Sequence, residues 1–193
     1  MSLKEYKLLN HNAFFQAVDA IACDPMNDNG SDYYGYIAQY TAPFELITQA
    51  MTVTSPKITD LGCGYCENLL YLGSFFDGSV LSGCELNADY YADMVTLLSD
   101  NSSVDVAITN VDYSTYDISD KDIIYSFHPM MTVEKYLEFN AYVFANMKVG
   151  AYWLETLKTC TADRELTVLD HKPDSVEILY NQDDIVLMRK LPL

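Results

Sequence analysis

Asp60, Glu85, Asp112 and His128 are the side chains of this chain whose types and places could do chemistry together. Each acid closes a short apolar-leaning run: Lys57-Ile58-Thr59 before Asp60, Ser79 to Cys84 before Glu85, and Ala107 to Val111 before Asp112. A carboxylate at the carboxyl end of a parallel strand points into the crevice where open α/β folds bind ligands. One at the end of the second strand can accept two hydrogen bonds from the cis-diol of a ribose. His128 follows a fourth run, Lys121 to Phe127, and stands before Pro129. Histidine is the side chain best suited to take up a proton near neutral pH. His11 lies in the N-terminal arm and His171 between the late runs, so His128 is the candidate base.

The residues after Asp60 are Leu-Gly62-Cys63-Gly64-Tyr-Cys66-Glu67, and Leu69, Leu72, Gly73 and Phe76 then repeat at helical spacing. This is strand, tight glycine turn and helix. Glycine suits the turn because positive φ and close approach of a ligand both exclude a Cβ. A dinucleotide fingerprint would place its third glycine at the sixth position from Gly62, which is Glu67, a carboxylate where a diphosphate would have to sit. That spacing argues against a nicotinamide dinucleotide. Cys63 and Cys66 form a Cys-x-x-Cys, but Cys23, Cys84 and Cys160 offer no second pair, so no metal site is expected. Small residues in a turn, with all five thiols reduced, is the simpler reading.

Asp60-Leu-Gly62-Cys63-Gly64-Tyr-Cys66 resembles the first motif of the class I, Rossmann-like S-adenosylmethionine-dependent methyltransferases. Cys66 stands where that pattern has its third glycine, and narrows the approach to the methionine part of the ligand. The resemblance implies an α/β, doubly wound, mostly parallel seven-stranded sheet with an antiparallel C-terminal hairpin and an N-terminal helical extension. It implies S-adenosylmethionine as cofactor, held by Asp60, Gly62, Cys63, Gly64 and Leu86, by Glu85 on the ribose, and by Asp112 on the adenine amino group. Tyr113 or Val111 would lie against the adenine face, and Ser126 would border the methyl group. Ser126-Phe-His128-Pro129 is not the Asn-Pro-Pro-Tyr-like motif of the amino-group members, so methylation of nucleobase amines is not supported.

These residues need elements to hold them. Asn87 opens a helix carrying Tyr91, Met94, Val95 and Leu98, and Thr132 caps another from Val133 to Met147. Ala151 to Thr156 reads as a buried fifth strand, and Val176 to Tyr180, a turn at Asn181 to Asp184, and Ile185 to Met188 read as the hairpin. Upstream, Phe14, Phe15, Val18 and Ile21 repeat at helical spacing, residues 24–32 form a loop, and Thr41 caps a helix through Pro43, Phe44, Ile47 and Met51. One domain results: residues 1–54 as N-terminal extension and lid, residues 55–193 as the cofactor-binding core. Tyr33, Tyr34 and Tyr36 either line the acceptor pocket as lid residues or pack helix against sheet.

At 193 residues and half hydrophobic, the chain can build a full core. Its formal charge of −17 repels a phosphate backbone, and its lysines and arginines form no cluster, which argues against a nucleic-acid partner. No run approaches the eighteen or so apolar residues of a membrane span, and Met-Ser-Leu-Lys-Glu-Tyr is not laid out as a signal peptide; the expectation is a cytoplasmic protein without a membrane partner. With no separate target-recognition domain, a small-molecule acceptor is the first expectation. A protein side chain, or a non-catalytic binder of the cofactor or its demethylated product, are the alternatives. The sequence leaves the oligomeric state open.

Overall fold

The computed structural model describes residues 44–99, 105–127, 132–156, 166–182 and 185–192. A short helix, α1 (Phe44–Thr48), leads into β1 (Lys57–Leu61), α2 (Glu67–Gly73), β2 (Val80–Cys84), α3 (Ala88–Ser99) and β3 (Val106–Thr109). A 3-10 turn at Tyr113–Thr115 precedes β4 (Ile123–Phe127), α4 (Val133–Asn146) and β5 (Tyr152–Thr156). A second 3-10 turn, Val168–His171, comes before the hairpin β6 (Val176–Gln182) and β7 (Ile185–Lys190).

The strands form one seven-stranded sheet in the order β3-β2-β1-β4-β5-β7-β6. Strands β1 to β5 run parallel, and β7 inserts antiparallel between β5 and β6. The chain starts at β1, winds outward to β3, then returns to β4 on the other side of β1. The reversal between β1 and β4 opens a crevice at the carboxyl ends of those strands, the usual ligand position in doubly wound sheets.

Parallel strands covered by helices on both faces are buried along their length, and β1, β2 and β4 are so here, with only one end residue of each not buried. On one face Ile58, Ile123, Tyr125 and Leu154 pack with Leu69, Leu70 and Leu72 of α2 and Met94 of α3. On the other, Ile124, Trp153, Val186 and Met188 pack with Tyr136, Phe139, Val143 and Phe144 of α4. Trp153 takes Phe139 and Phe144 edge-on, with ring centroids 5.9 and 5.0 Å away. Both helix caps foreseen among these residues are made. Asn87 Oδ1 accepts from the backbone N–H groups of Asp89 and Tyr90, and Thr132 Oγ1 accepts from that of Lys135.

Two elements differ from the sequence expectation. The helix expected to run through Met51 stops at Thr48. Beyond it, Thr52 is drawn to β5, its N–H and its hydroxyl each 3.1 Å from the Tyr152 hydroxyl. Asn181 and Gln182, expected in the hairpin turn, continue β6 and pair with Val186 and Ile185. Strand β6 is the edge of the sheet, where polar side chains keep their water. The expected helix around Phe14 to Ile21 and the loop at 24–32 lie outside the described residues.

Candidate functional site

The turn after β1 is built on left-handed backbone. Gly62 has φ 84°, Gly64 φ 49° and Cys66 φ 63°. It folds back over the end of β2, the N–H groups of Gly62 and Cys63 both donating to the Cys84 carbonyl at 2.9 and 3.0 Å. Space beside β2 exists because position 83 has no side chain. A Cβ on Gly83 would lie 2.9 Å from the Asp60 carbonyl oxygen and 3.2 Å from Cys63 Cβ. On its outer side the turn is open: a Cβ on Gly62 would meet nothing within 4 Å.

Glu85, one residue past β2, is buried and locked to this turn. Gly64 N–H donates to its Oε2 at 2.9 Å and Asn87 N–H to its Oε1 at 2.8 Å. Burial raises its pKa and these backbone donors pull it back. The Leu86 N–H also lies on the carboxylate, which can accept up to four hydrogen bonds in all. The loop after β3 is tied to the same place. Asn110 Nδ2 donates to the carbonyls of Glu85 and Leu86 at 2.7 and 3.1 Å, and the Thr109 carbonyl accepts from the N–H groups of Glu85 and Val111, both at 3.1 Å.

Asp60 sits next to the last residue of β1, 2 % exposed, and its Oδ1 has no hydrogen-bond partner among the described residues. Burial, with the charge of Glu85 adding to it, pushes its carboxyl well above the ordinary range. A further buried acid, Glu155 on β5, was not foreseen as a site residue. Its side chain is fully buried, Ser126 Oγ donates to its Oε2, and Trp153 Nε1–H donates to Ser126 Oγ at 2.8 Å. Its Oε1 has no partner among the described residues. Burial is the main cause holding its pKa well up, and Asp60 also raises it. The signal was present in the sequence: Tyr152-Trp-Leu-Glu155 is another apolar run closing on an acid.

The remaining predicted residues fall as follows. Cys63, Cys66 and Cys84 are free, buried thiols around the turn. The Cys63 thiol is held well up, first by its hydrogen bond with Cys66 and then by burial, and burial pushes Cys84 up to about 12. Leu86 is exposed beside Glu85. Asp112 caps its 3-10 turn, Oδ1 accepting from Ser114 N–H at 2.8 Å and Ser114 Oγ at 2.6 Å. The Tyr113 ring packs edge-on to Phe139 and Tyr142, and Ser126 is fully buried under Glu155. The structure thus brings Asp60, Gly62, Cys63, Gly64, Glu85 and Leu86 together, with Asp112 in the neighbouring loop. His128, Tyr33, Tyr34 and Tyr36 lie outside the described residues. Among the described residues, no group of three or more His, Cys, Asp or Glu side chains could hold a metal ion.

This strand order, reversed last strand and glycine turn make up the class I, Rossmann-like fold of the S-adenosylmethionine-dependent methyltransferases. Solved structures share it. An RNA methyltransferase from Salinibacter ruber, in complex with S-adenosyl-L-homocysteine, superposes with TM-score 0.58 at 14 % identity over 81 % of this chain and 94 % of its own. TehB from Haemophilus influenzae gives TM-score 0.61 at 17 % identity over 79 % of this chain and 63 % of its own. PKMT2 from Rickettsia typhi, in complex with AdoHcy, gives 0.53 at 18 % identity over 66 % and 28 %. The chain therefore spans less than two thirds of the latter two proteins. No protein-family model matches the sequence, and no curated protein does.

Proposed function

We propose that this chain binds S-adenosylmethionine at the carboxyl edge of β1 and β2 and transfers its methyl group to a small-molecule acceptor. One observation carries the reading: Glu85 is fastened to the glycine turn through Gly64 N–H, next to an open Gly62 and a buried Asp60 whose Oδ1 has no partner among the described residues. A buried polar atom left without a partner is costly, about 1–3 kcal/mol, and is retained where a ligand supplies the partner. The solved neighbours crystallised with the demethylated product support the same ligand.

In this reading Asp60 accepts from the ligand's ammonium group, the free lone pairs of Glu85 accept from the ribose hydroxyls, and Leu86 and Val111 flank the adenine. Asp112 would take the adenine amino group. The bound cofactor supplies a sulfonium-activated methyl group, so the protein's part is to align an acceptor and take up its proton. His128, the residue directly after β4, is proposed as that base. A non-catalytic binder of the cofactor or its product is the second reading. Cys66 favours it: left-handed and fully buried, it puts a side chain where the fold's pattern has glycine.

Calorimetric titration with S-adenosylmethionine and S-adenosylhomocysteine, with NADH as comparator, tests the first step. Saturable binding of both adenosyl ligands, weakened at least tenfold by Asp60→Ala and by Glu85→Ala, is the expected result. Binding of neither by the wild type would overturn the proposal. Product formation across a panel of acceptors separates enzyme from binder.

A further inference from the structure

Asn110 is an exposed residue whose amide is turned inward, Nδ2 reaching two main-chain carbonyls at once, Glu85 O at 2.7 Å and Leu86 O at 3.1 Å. The flanking residue Thr109 presents its carbonyl to both Glu85 N–H and Val111 N–H. These bonds join two loops distant in sequence, the one after β2 and the one after β3. Glu85 also holds Gly64 of the first turn, so three separate segments become a single hydrogen-bonded unit.

We infer that Asn110 is a positioning residue that preassembles the adenosine half of the site, fixing Glu85 for the ribose and Leu86 for the base before the ligand arrives. The inference rests on the adenosyl-ligand reading above and adds to it. Ordering two loops on binding costs conformational entropy, which a clamp made in the free protein removes in advance. The acid alone does not achieve this. Glu85 fastens the turn and the start of α3, whereas the β3 loop reaches it through Asn110 and Thr109. Because Asn110 is exposed, its removal should trouble ligand affinity more than folding.

The test uses S-adenosylhomocysteine and 5′-methylthioadenosine, the second carrying adenosine without the amino-acid half. Asn110→Ala, which deletes the donor, and Asn110→Asp, which keeps the shape but cannot donate when ionised, should each weaken both ligands by about tenfold. Thermal midpoints should stay within about 3 °C of the wild type. In the ligand-free protein, amide exchange at Asn87 should quicken in both variants. Unchanged affinity in Asn110→Ala would overturn the clamp while leaving the adenosyl site standing. So would a loss confined to S-adenosylhomocysteine, or one accompanied by a matching fall in melting temperature. A wild type that binds neither ligand would overturn both readings.

Discussion

Glu155 holds the strongest residue-level statement of this protein about its own electrostatics. Its carboxyl lies fully inside the sheet's edge, hydrogen-bonded through one oxygen only among the described residues, with Asp60 near enough to raise its pKa further. A carboxyl whose pKa is higher in the folded chain than in the unfolded one binds more protons when folded. Stability is then complete below the unfolded value and is lost as pH rises toward the folded one. Glu155→Gln removes this dependence while keeping an acceptor for Ser126. Melting curves of the two proteins from about pH 4.5 to about pH 8 should show the variant gaining on the wild type as pH rises, since the unfolded carboxyl titrates near the ordinary glutamate value. Asp60 shifts in the same direction and is coupled to Glu155, so removing the Glu155 charge relaxes it as well and adds to the variant's gain. Parallel curves would mean that Glu155 ionises as an ordinary surface acid.

At the scale of elements, α4 has no basic residue in its own last turn, and another part of the chain supplies one. Lys190, the last residue of β7, places Nζ 2.9 Å from the Phe144 carbonyl, 3.3 Å from that of Ala145 and 2.7 Å from that of Met147. A cation there satisfies orphan carbonyls and the negative end of the helix dipole together. Lys190→Met keeps the aliphatic stem and removes the charge, and should cost about 1 kcal/mol in urea unfolding. An unchanged midpoint would mean that water replaces the ammonium without loss. No local pattern announces this cap, because its partners are more than forty residues apart. What was legible was the local kind of signal: glycines ahead of an apolar helix face, Asn87 and Thr132 as caps, and alternation in the hairpin. The run of acids at strand ends exposed Asp60 and Glu85, and the same rule applied to β5 would have exposed Glu155. Asn110 could not be read, since nothing in Thr-Asn-Val-Asp says that its amide will span two loops. The bond that holds Thr52 beyond the helix end goes to Tyr152, a hundred residues away, and Asn181-Gln182 looked like a turn because an edge strand carries the same polar residues as a loop.

At the scale of the molecule, charge at the two edges of the sheet is sorted by the direction of the parallel strands among the described residues. Lys57, Lys121, Lys148, Arg189 and Lys190 all lie at the amino edge of β1, β4 and β5, most of them tied to acids there: Lys57 and Lys121 to Asp120, Lys148 to Asp122, and Arg189 to Glu177. The hydrogen bonds from Lys121 and Lys57 hold Asp120 down to about 2. The opposite edge carries Asp60, Glu85, Asp112 and Glu155, and Asp60, Glu85 and Glu155 make no ion pair among the described residues. With a net charge of −17 behind it, that edge favours a cation over a neutral ligand of the same shape. S-adenosylmethionine and its product differ at sulfur by one positive charge, so the pair isolates the field from the shape. Exposed charges act over about 10 Å at 0.1 M salt and over about 3 Å at 1 M. Raising salt from about 50 mM to about 500 mM should therefore weaken S-adenosylmethionine several-fold and leave S-adenosylhomocysteine nearly unchanged, as read by calorimetry on the same preparation. Equal salt dependence for the two would show that the exposed charge of the molecule does not reach the site, and the preference for a cationic cofactor would then have to come from direct contacts with the buried acids.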